Sequence, residues 1–232
     1  MNSPNTTIII PQKNHVAMTI ACVESLRLHE SIAWPIVIVD DGSDREQFDI
    51  TREKIAAFSN MRLLKQLSHG VSAAWNSGWN TADTKYVLFL NNDVQFHGPV
   101  IEQLMQPLSQ PGVVISGVKL RSERKLPRSL LTQLSTLEFL EGWCFAVERT
   151  DVERLQGFDE SMMLYWSDTD FQLRLLELHK TNLSGMHATL GLPLIHLQHQ
   201  TAHHLPDYRM HRATDRATFI RKWKTRLLNV TH

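Results

Sequence analysis

Three groups of side chains in this sequence have the types and spacing to do chemistry. The first is Asn91-Asn92-Asp93, which follows directly on the apolar run Tyr86-Val87-Leu88-Phe89-Leu90. An apolar run of that length, without alternation, predicts a strand buried on both faces. Ligands of open α/β sheets gather beyond the carboxyl ends of such strands. A hard divalent cation, Mg²⁺ or Mn²⁺, takes oxygen ligands and commonly joins one or two carboxylates to substrate phosphates. Asp93 therefore stands where a phosphate-bound metal could be held; the competing reading is that Asn-Asn-Asp only turns the chain. The second group is Ser167-Asp168-Thr169-Asp170, opening a helix whose apolar positions are Phe171, Leu175, Leu176 and Leu178. Ser167 reads as its N-cap, with Asp170 in the capping-box position, and the helix dipole favours both acids in the first turn. Either they cap only, or Asp168 is a general base at a pocket mouth, where such assistance is worth about 10²–10⁴-fold in rate. The third group is the histidines, twelve in all, six of them from His187 to His211. One of these could supply a further metal ligand. A dedicated zinc site is disfavoured, because no cysteine lies nearby and the spacing matches no strong zinc pattern.

The elements that must position these groups alternate. Thr6 to Ile10 reads as a strand closed by Pro11, and Val16, Ile20, Val23 and Leu26 mark a helix. Ile36 to Val39 is a buried strand ended by Asp40-Asp41-Gly42-Ser43-Asp44, followed by a helix from about Arg45 to Phe58. A strand at Met61 to Leu64, a turn at Ser68-His69-Gly70 and a helix from Val71 to Trp79, weakened by Gly78, lead into the run at Tyr86. Such alternation predicts βαβ units, right-handed crossovers and a mostly parallel sheet. Pro11 to Asn14, Asp40 to Ser43 and Asn91 to Asp93 should then converge on one crevice. Further on come a helix near Val100 to Met105, strands at Val113 to Val118 and Trp143 to Val147, and a short helix from Thr150 to Leu155. Lys119 to Leu130 is basic and reads as a solvated loop, or else as a lid over donor phosphates or acceptor. Tyr208 to Leu228 reads as a basic helix with an apolar stripe of Phe219, Ile220, Trp223 and Leu227. That stripe either packs on the parent domain or lies on an anionic membrane or nucleic acid.

Composition narrows the class. Lys+Arg and Asp+Glu are equal at 24 each, so no global field argues for nucleic acid or membrane. Cys22 and Cys144 lie far apart in apolar surroundings and read as free, buried thiols of a cytoplasmic protein. Residues 1–7 lack a basic leader pattern, and no apolar run approaches the roughly 20 residues of a membrane span.

Taken together, the stretches resemble a family 2 glycosyltransferase of the GT-A fold, in its rhamnosyltransferase-like subgroup. The likeness rests on Ile9-Ile10-Pro11 with Asn14, Val37-Ile38-Val39-Asp40-Asp41-Gly42-Ser43-Asp44, and Gly70, Ala73, Asn76 and Gly78. It continues through Tyr86 to Asp93, Gly157-Phe158-Asp159-Glu160, Asp168-x-Asp170 with Arg174, and Phe219 with Lys222-Trp223. The resemblance implies one GT-A domain over residues 1–232: a nucleotide-binding half at 1–93, an acceptor and catalytic half at 94–205, and the basic helix at 206–232. It implies inverting, metal-dependent transfer, of hexosyltransferase type, from a UDP-, dTDP- or GDP-linked sugar to a hydroxyl acceptor of undetermined class, with Mn²⁺ or Mg²⁺ as cofactor. By position, Pro11 and Asp40 would contact the base and Asp41 the base or ribose, with Asn14, Gly70 and Asn76 also at the nucleotide sugar. Asn92 would sit by the ribose and metal, Asp93 would ligate the metal together with His196 or His199, and Asp168 would be the catalytic base. Three residues depart from the family pattern: His69 where Asn usually precedes Gly70, Ser167 where an acid usually precedes the base, and one acid instead of two at Asn91-Asn92-Asp93. These departures leave a non-catalytic nucleotide-sugar or glycan-binding module as the alternative. A sugar nucleotidyltransferase would need a Gly-rich basic loop after the first strand, where only Lys13 is offered.

Overall fold

A computed structural model describes residues 4–122, 138–197 and 207–224 of the chain. In chain order the elements are β1 (Thr6–Gln12), α1 (Val16–His29), β2 (Ile36–Asp41), α2 (Arg45–Ile55), β3 (Met61–Gln66), α3 (Val71–Trp79) and β4 (Tyr86–Leu90). Then come β5 (Val94–Phe96), α4 (Ile101–Met105), β6 (Ile115–Gly117), β7 (Leu120–Ser122), β8 (Glu138–Leu140), β9 (Cys144–Glu148) and α5 (Arg149–Arg154). Finally α6 (Ser167–Leu178), β10 (Met186–Ala188), β11 (Leu194–His196) and α7 (Tyr208–Trp223) follow.

A seven-stranded sheet has the order β10-β6-β9-β4-β1-β2-β3. The expected α/β architecture is present: β4, β1, β2 and β3 are parallel neighbours, and β10 is parallel to β6. β9 runs antiparallel to both β4 and β6. All five residues of β4 are buried, as its unbroken apolar run requires of a central strand. One face of the sheet packs Ile8, Ile10, Leu88 and Leu90 against Cys22, Val23 and Leu26 of α1. The other packs Val87 and Phe89 against Trp75, Phe145, Phe158, Phe171, Phe219 and Trp223.

Several boundaries differ from the sequence reading for identifiable reasons. β1 continues through Pro11 to Gln12, which pairs with Asp40. The Ile8 N–H points toward β2, onto Pro35 O. Strand alternation therefore turns the Pro11 nitrogen toward β4, where pairing has already ended at Ile9 and Phe89. Proline is tolerated there because no ladder hydrogen bond is lost. Gly78 does not weaken α3 so much as admit it to the sheet, since a Cβ there would lie 2.3 Å from Ile9 Cγ2. Ser167 is not the N-cap of α6: that position is Trp166, at φ 69°, and Ser167 is the first helical residue. The two strands β5 and β11, three residues each, form an antiparallel ribbon beyond the end of β4.

Burial decides two further points. Cys22 and Cys144 are buried and unbridged, as expected, and burial pushes the Cys22 thiol up to about 12 and the Cys144 thiol upward as well. Phe219 and Trp223 are fully buried, so the apolar stripe of α7 is spent on the parent domain and not on a membrane. No helix among the described residues is long and apolar enough to cross a membrane. Leu227, most of the basic segment (Arg124, Lys125 and Arg128) and His199 lie outside the described residues.

Candidate active site

The polar connectors at the carboxyl edge of β1, β2 and β3 are tied to one another. Asn14 donates its backbone N–H to Ser43 Oγ at 2.7 Å, and its Oδ1 accepts from the Asp44 N–H at 2.9 Å. Asp40 is fully buried; its carboxylate accepts from Gln12 Nε2 (3.0 Å) and from the Ser43 N–H (3.0 Å). The Asp41 carboxylate accepts from Gln66 Nε2 and from the N–H groups of His69 and Gly70, at 2.7, 2.8 and 3.0 Å. Both acids therefore brace this wall of connectors, with their carboxylates engaged by the protein itself. Pro11, at the end of β1, is half-buried beside them.

Gly70 joins this wall to the other half of the chain. It has φ +92°, a conformation glycine adopts readily, and a Cβ would lie 2.6 Å from Met163 O. Asn76 does the same from α3. Its Nδ2 donates to Phe158 O (2.9 Å) and Glu160 Oε1 (2.8 Å), while Oδ1 accepts from the Phe158 N–H (2.8 Å) and Trp79 Nε1 (3.1 Å). Its amide is thereby fully engaged within the protein, pinning the Gly157-Phe158-Asp159-Glu160 turn, a role the sequence did not reveal.

Asn92 and Asp93 follow β4 and are 5 % and 4 % exposed. Asn92 Nδ2 donates to Thr19 Oγ1 on α1 at 3.0 Å. The β5–β11 ribbon sets His196 opposite Val94, and the Leu197 N–H donates to Asp93 O at 2.8 Å. His196 Nε2 consequently stands 3.0 Å from Asp93 Oδ1. The contact has ion-pair distance but not hydrogen-bond angles: Asp93 Oδ1 is buried and receives no properly aligned donor among the described residues. A buried carboxylate oxygen beside an imidazole nitrogen suits a shared cation, and this pair fits Mn²⁺ or Mg²⁺ whose remaining ligands are phosphate or water oxygens. Among the described residues no third His, Cys, Asp or Glu joins them. A cavity of about 220 Å³ adjoins the pair, lined by Met18 and Ala21 of α1, residues 92–95 and Leu197.

Asp168, 9 % exposed, comes from the far half of the chain. Its carboxylate lies against Gly142, where a Cβ would be 2.2 Å from Oδ2. The next residue, Trp143, stacks on the His196 ring at 4.7 Å and 15°. Trp143 also donates its Nε1 to Glu141 Oε2 at 2.5 Å and accepts the Asn91 N–H on its carbonyl at 2.8 Å. A continuous path of contacts thus runs from Asp168 through Gly142 and Trp143 to His196 and Asp93.

Asp170 has a different task. Fully buried, it accepts from Arg174 Nε and Trp223 Nε1, each at 2.8 Å, and forms an ion pair with Lys222 Nζ at 2.8 Å. Lys222 also reaches Asp159 Oδ2 at 2.6 Å. Burial alone would raise the Asp159 carboxyl, but the Lys222 ammonium and the Ser161 hydrogen bonds outweigh it and hold the group below its ordinary value. Gly142, Trp143 and Asp215 were not singled out from the sequence. Asp215 carried a usable signal, as an acid spaced i, i+4, i+8 with Phe219 and Trp223 on a buried stripe.

With this geometry in hand, the comparisons are specific. Residues 7–170 match Glycosyl transferase family 2, and the chain belongs to that family. It is 35 % identical over 106 residues to the uncharacterized glycosyltransferase YibD of Escherichia coli (strain K12), covering 45 % of this chain and 31 % of that one. It is 25 % identical over 114 residues to the uncharacterized glycosyltransferase EpsJ of Bacillus subtilis (strain 168), covering 49 % of this chain and 33 % of that one. The matched segments thus span about a third of these curated relatives. Among solved structures, the mannosyltransferase PcManGT from Pyrobaculum calidifontis, in complex with GDP-Man and Mn²⁺, superposes with a TM-score of 0.71 at 15 % identity, covering 96 % of this chain and 64 % of that one. Glucosyl-3-phosphoglycerate synthase from Mycobacterium tuberculosis, in complex with Mn²⁺, UDP and glucosyl-3-phosphoglycerate, gives 0.65 at 17 % identity, covering 91 % and 78 %. The fold is GT-A: an α/β fold with a mostly parallel central sheet flanked by helices, and a C-terminal helix.

Proposed function

We propose that this chain transfers a sugar from a nucleotide-diphosphate sugar to a hydroxyl acceptor with inversion at the anomeric carbon. The observation that carries the reading is the contact path from Asp168 over Gly142 and Trp143 to the Asp93–His196 pair. Asp168 accepts the proton of the attacking hydroxyl, which bonds to the anomeric carbon as the bond to the diphosphate breaks. Asp93 and His196 hold a divalent cation, with His199 as a further candidate ligand; that ion, when bound, neutralises the charge developing on the leaving phosphates. Asp93 and His196 fix its place, and Asn92 lies beside it for the ribose. Pro11, Asn14, Asp40, Asp41 and Gly70 form the wall proposed for the nucleotide, and the hydrogen bonds of the two acids keep that wall in one shape.

The donor class follows from the family and from the UDP and GDP-Man in the two solved structures above. A donor panel of UDP-, GDP- and dTDP-linked sugars tests it, with dTDP-rhamnose as the arm for the rhamnosyltransferase-like subgroup. The expected result is nucleoside diphosphate released in the presence of Mn²⁺ or Mg²⁺ and suppressed by chelator. A binding module would instead raise the melting temperature with donor and metal, by about 2.7 kcal/mol of stabilisation at a hundred times Kd, without release.

A further inference from the structure

The segment that presents Asp168 is gripped by α7 at three places. At its start, Lys222 Nζ lies 2.6 Å from Asp159 Oδ2. At its end, Trp223 Nε1 donates to Asp170 Oδ1 at 2.8 Å. Between them the Asp215 carboxylate accepts three successive backbone N–H groups, from Met163 (3.1 Å), Leu164 (2.9 Å) and Tyr165 (3.0 Å). Asp215 is 1 % exposed, and it is the only acid between Tyr208 and Lys224. The next residue after those three donors is Trp166, at φ 69° and ψ −14°. Bulky side chains avoid that region unless their surroundings hold them there. Its ring packs 4.8 Å from Phe219, one turn beyond Asp215 on α7, and its carbonyl accepts the Asp170 N–H at 2.8 Å. Two residues later comes Asp168.

We propose that Asp215 is a positioning residue: by collecting the N–H groups of residues 163–165 it fixes the turn that aims the Asp168 carboxylate. The inference rests on the reading of Asp168 as the base. Water could satisfy the same three donors, but only a fixed acceptor gives them one geometry. Misplacement of a reacting group by about 1 Å can cost about 10²-fold in rate. Asp93 and His196 make none of these contacts with α7; the nucleotide wall meets the segment from another side, where Gly70 packs on Met163 and Ser72 donates to the carbonyls of Met162 and Met163.

The experiment is hydrolysis of UDP-glucose, GDP-mannose and dTDP-rhamnose with Mn²⁺, water serving as acceptor, read as kcat against KM. Asp215→Asn should lower kcat by about 10- to 100-fold, while donor KM and the calorimetric affinity for nucleoside diphosphate with Mn²⁺ stay within about twofold. Asp215→Glu, which restores a carboxylate, should recover part of the kcat. An unchanged kcat overturns the proposal; so does a loss of kcat and donor affinity in parallel, which marks general destabilisation. Should Asp215→Asn not fold, Lys222→Met loosens the same segment from its start and should lower kcat at constant donor affinity; an unaltered kcat there counts against the proposal. A wild-type protein inert on every donor defeats the glycosyltransferase reading itself, whereas an active wild type with an equally active Asp215→Asn defeats this inference alone.

Discussion

Two regions, the proposed metal side around Asp93 and the proposed base side around Asp168, are built by different means. On the metal side, backbone ladders do the placing: β4 delivers Asp93, the antiparallel pairing of β5 with β11 delivers His196, and the Leu197 N–H closes onto Asp93 O. On the base side, side chains do it. Asp168 sits at the start of α6 because Asp170, Asp215, Arg174, Lys222 and Trp223 tie that segment to its neighbours. Register is fixed by many repeated hydrogen bonds and resists single substitutions. A buried ionic network depends on each member, because removing one leaves the others charged and unpaired. The base side is therefore where single substitutions should alter chemistry without touching donor binding.

Four substitutions sharpen or break that contrast. Asp168→Asn should have the largest effect, lowering kcat by about 10²–10⁴-fold while leaving calorimetric binding of nucleoside diphosphate and Mn²⁺ unaltered; retained turnover would remove Asp168 from its role. Gly142→Ala should follow at about 10²-fold, because a Cβ there meets the Asp168 carboxylate at 2.2 Å and must displace it; steady-state kinetics with intact donor affinity is the check. His196→Ala belongs to the other side and should weaken Mn²⁺ binding at least about tenfold, with saturating metal restoring much of the rate. The smallest effect concerns pH. The Asp159 carboxyl is held below its ordinary 3.8 in the folded chain, so its contribution is fully present above that value and disappears as pH falls through the folded pKa. Wild type should lose stability below about pH 4 more steeply than Asp159→Asn, as measured by urea unfolding across pH 7 to 3.

Much of the metal side was legible because its signals are local. An unbroken apolar run followed by Asn-Asn-Asp states both the strand and its polar end. The partner of Asp93 was narrowed to His196 or His199 only through family resemblance, since three-residue strands such as Val94–Phe96 carry too little pattern to announce a ribbon. The base side was harder. Ser167 reads as the cap because its side chain suits that task, whereas Trp166 holds the position, its ring packed on Phe219. Asn76, which the family resemblance places at the nucleotide sugar, also pins residues 82 and 84 positions away. Contacts of that sequence separation leave no trace in periodicity or spacing.

Those same separations set an order of assembly. The parallel strands β1 to β4 and their crossovers can dock as soon as residues 6–90 are synthesised, but the turn carrying Asp168 waits for partners about 50 residues further along, at Asp215. Domains acquire structure from the amino end during translation, and closing long loops slows folding. A nascent chain will accordingly acquire the connectors of β1 to β3 first and the turn that carries Asp168 last, once α7 has left the ribosome and swung back.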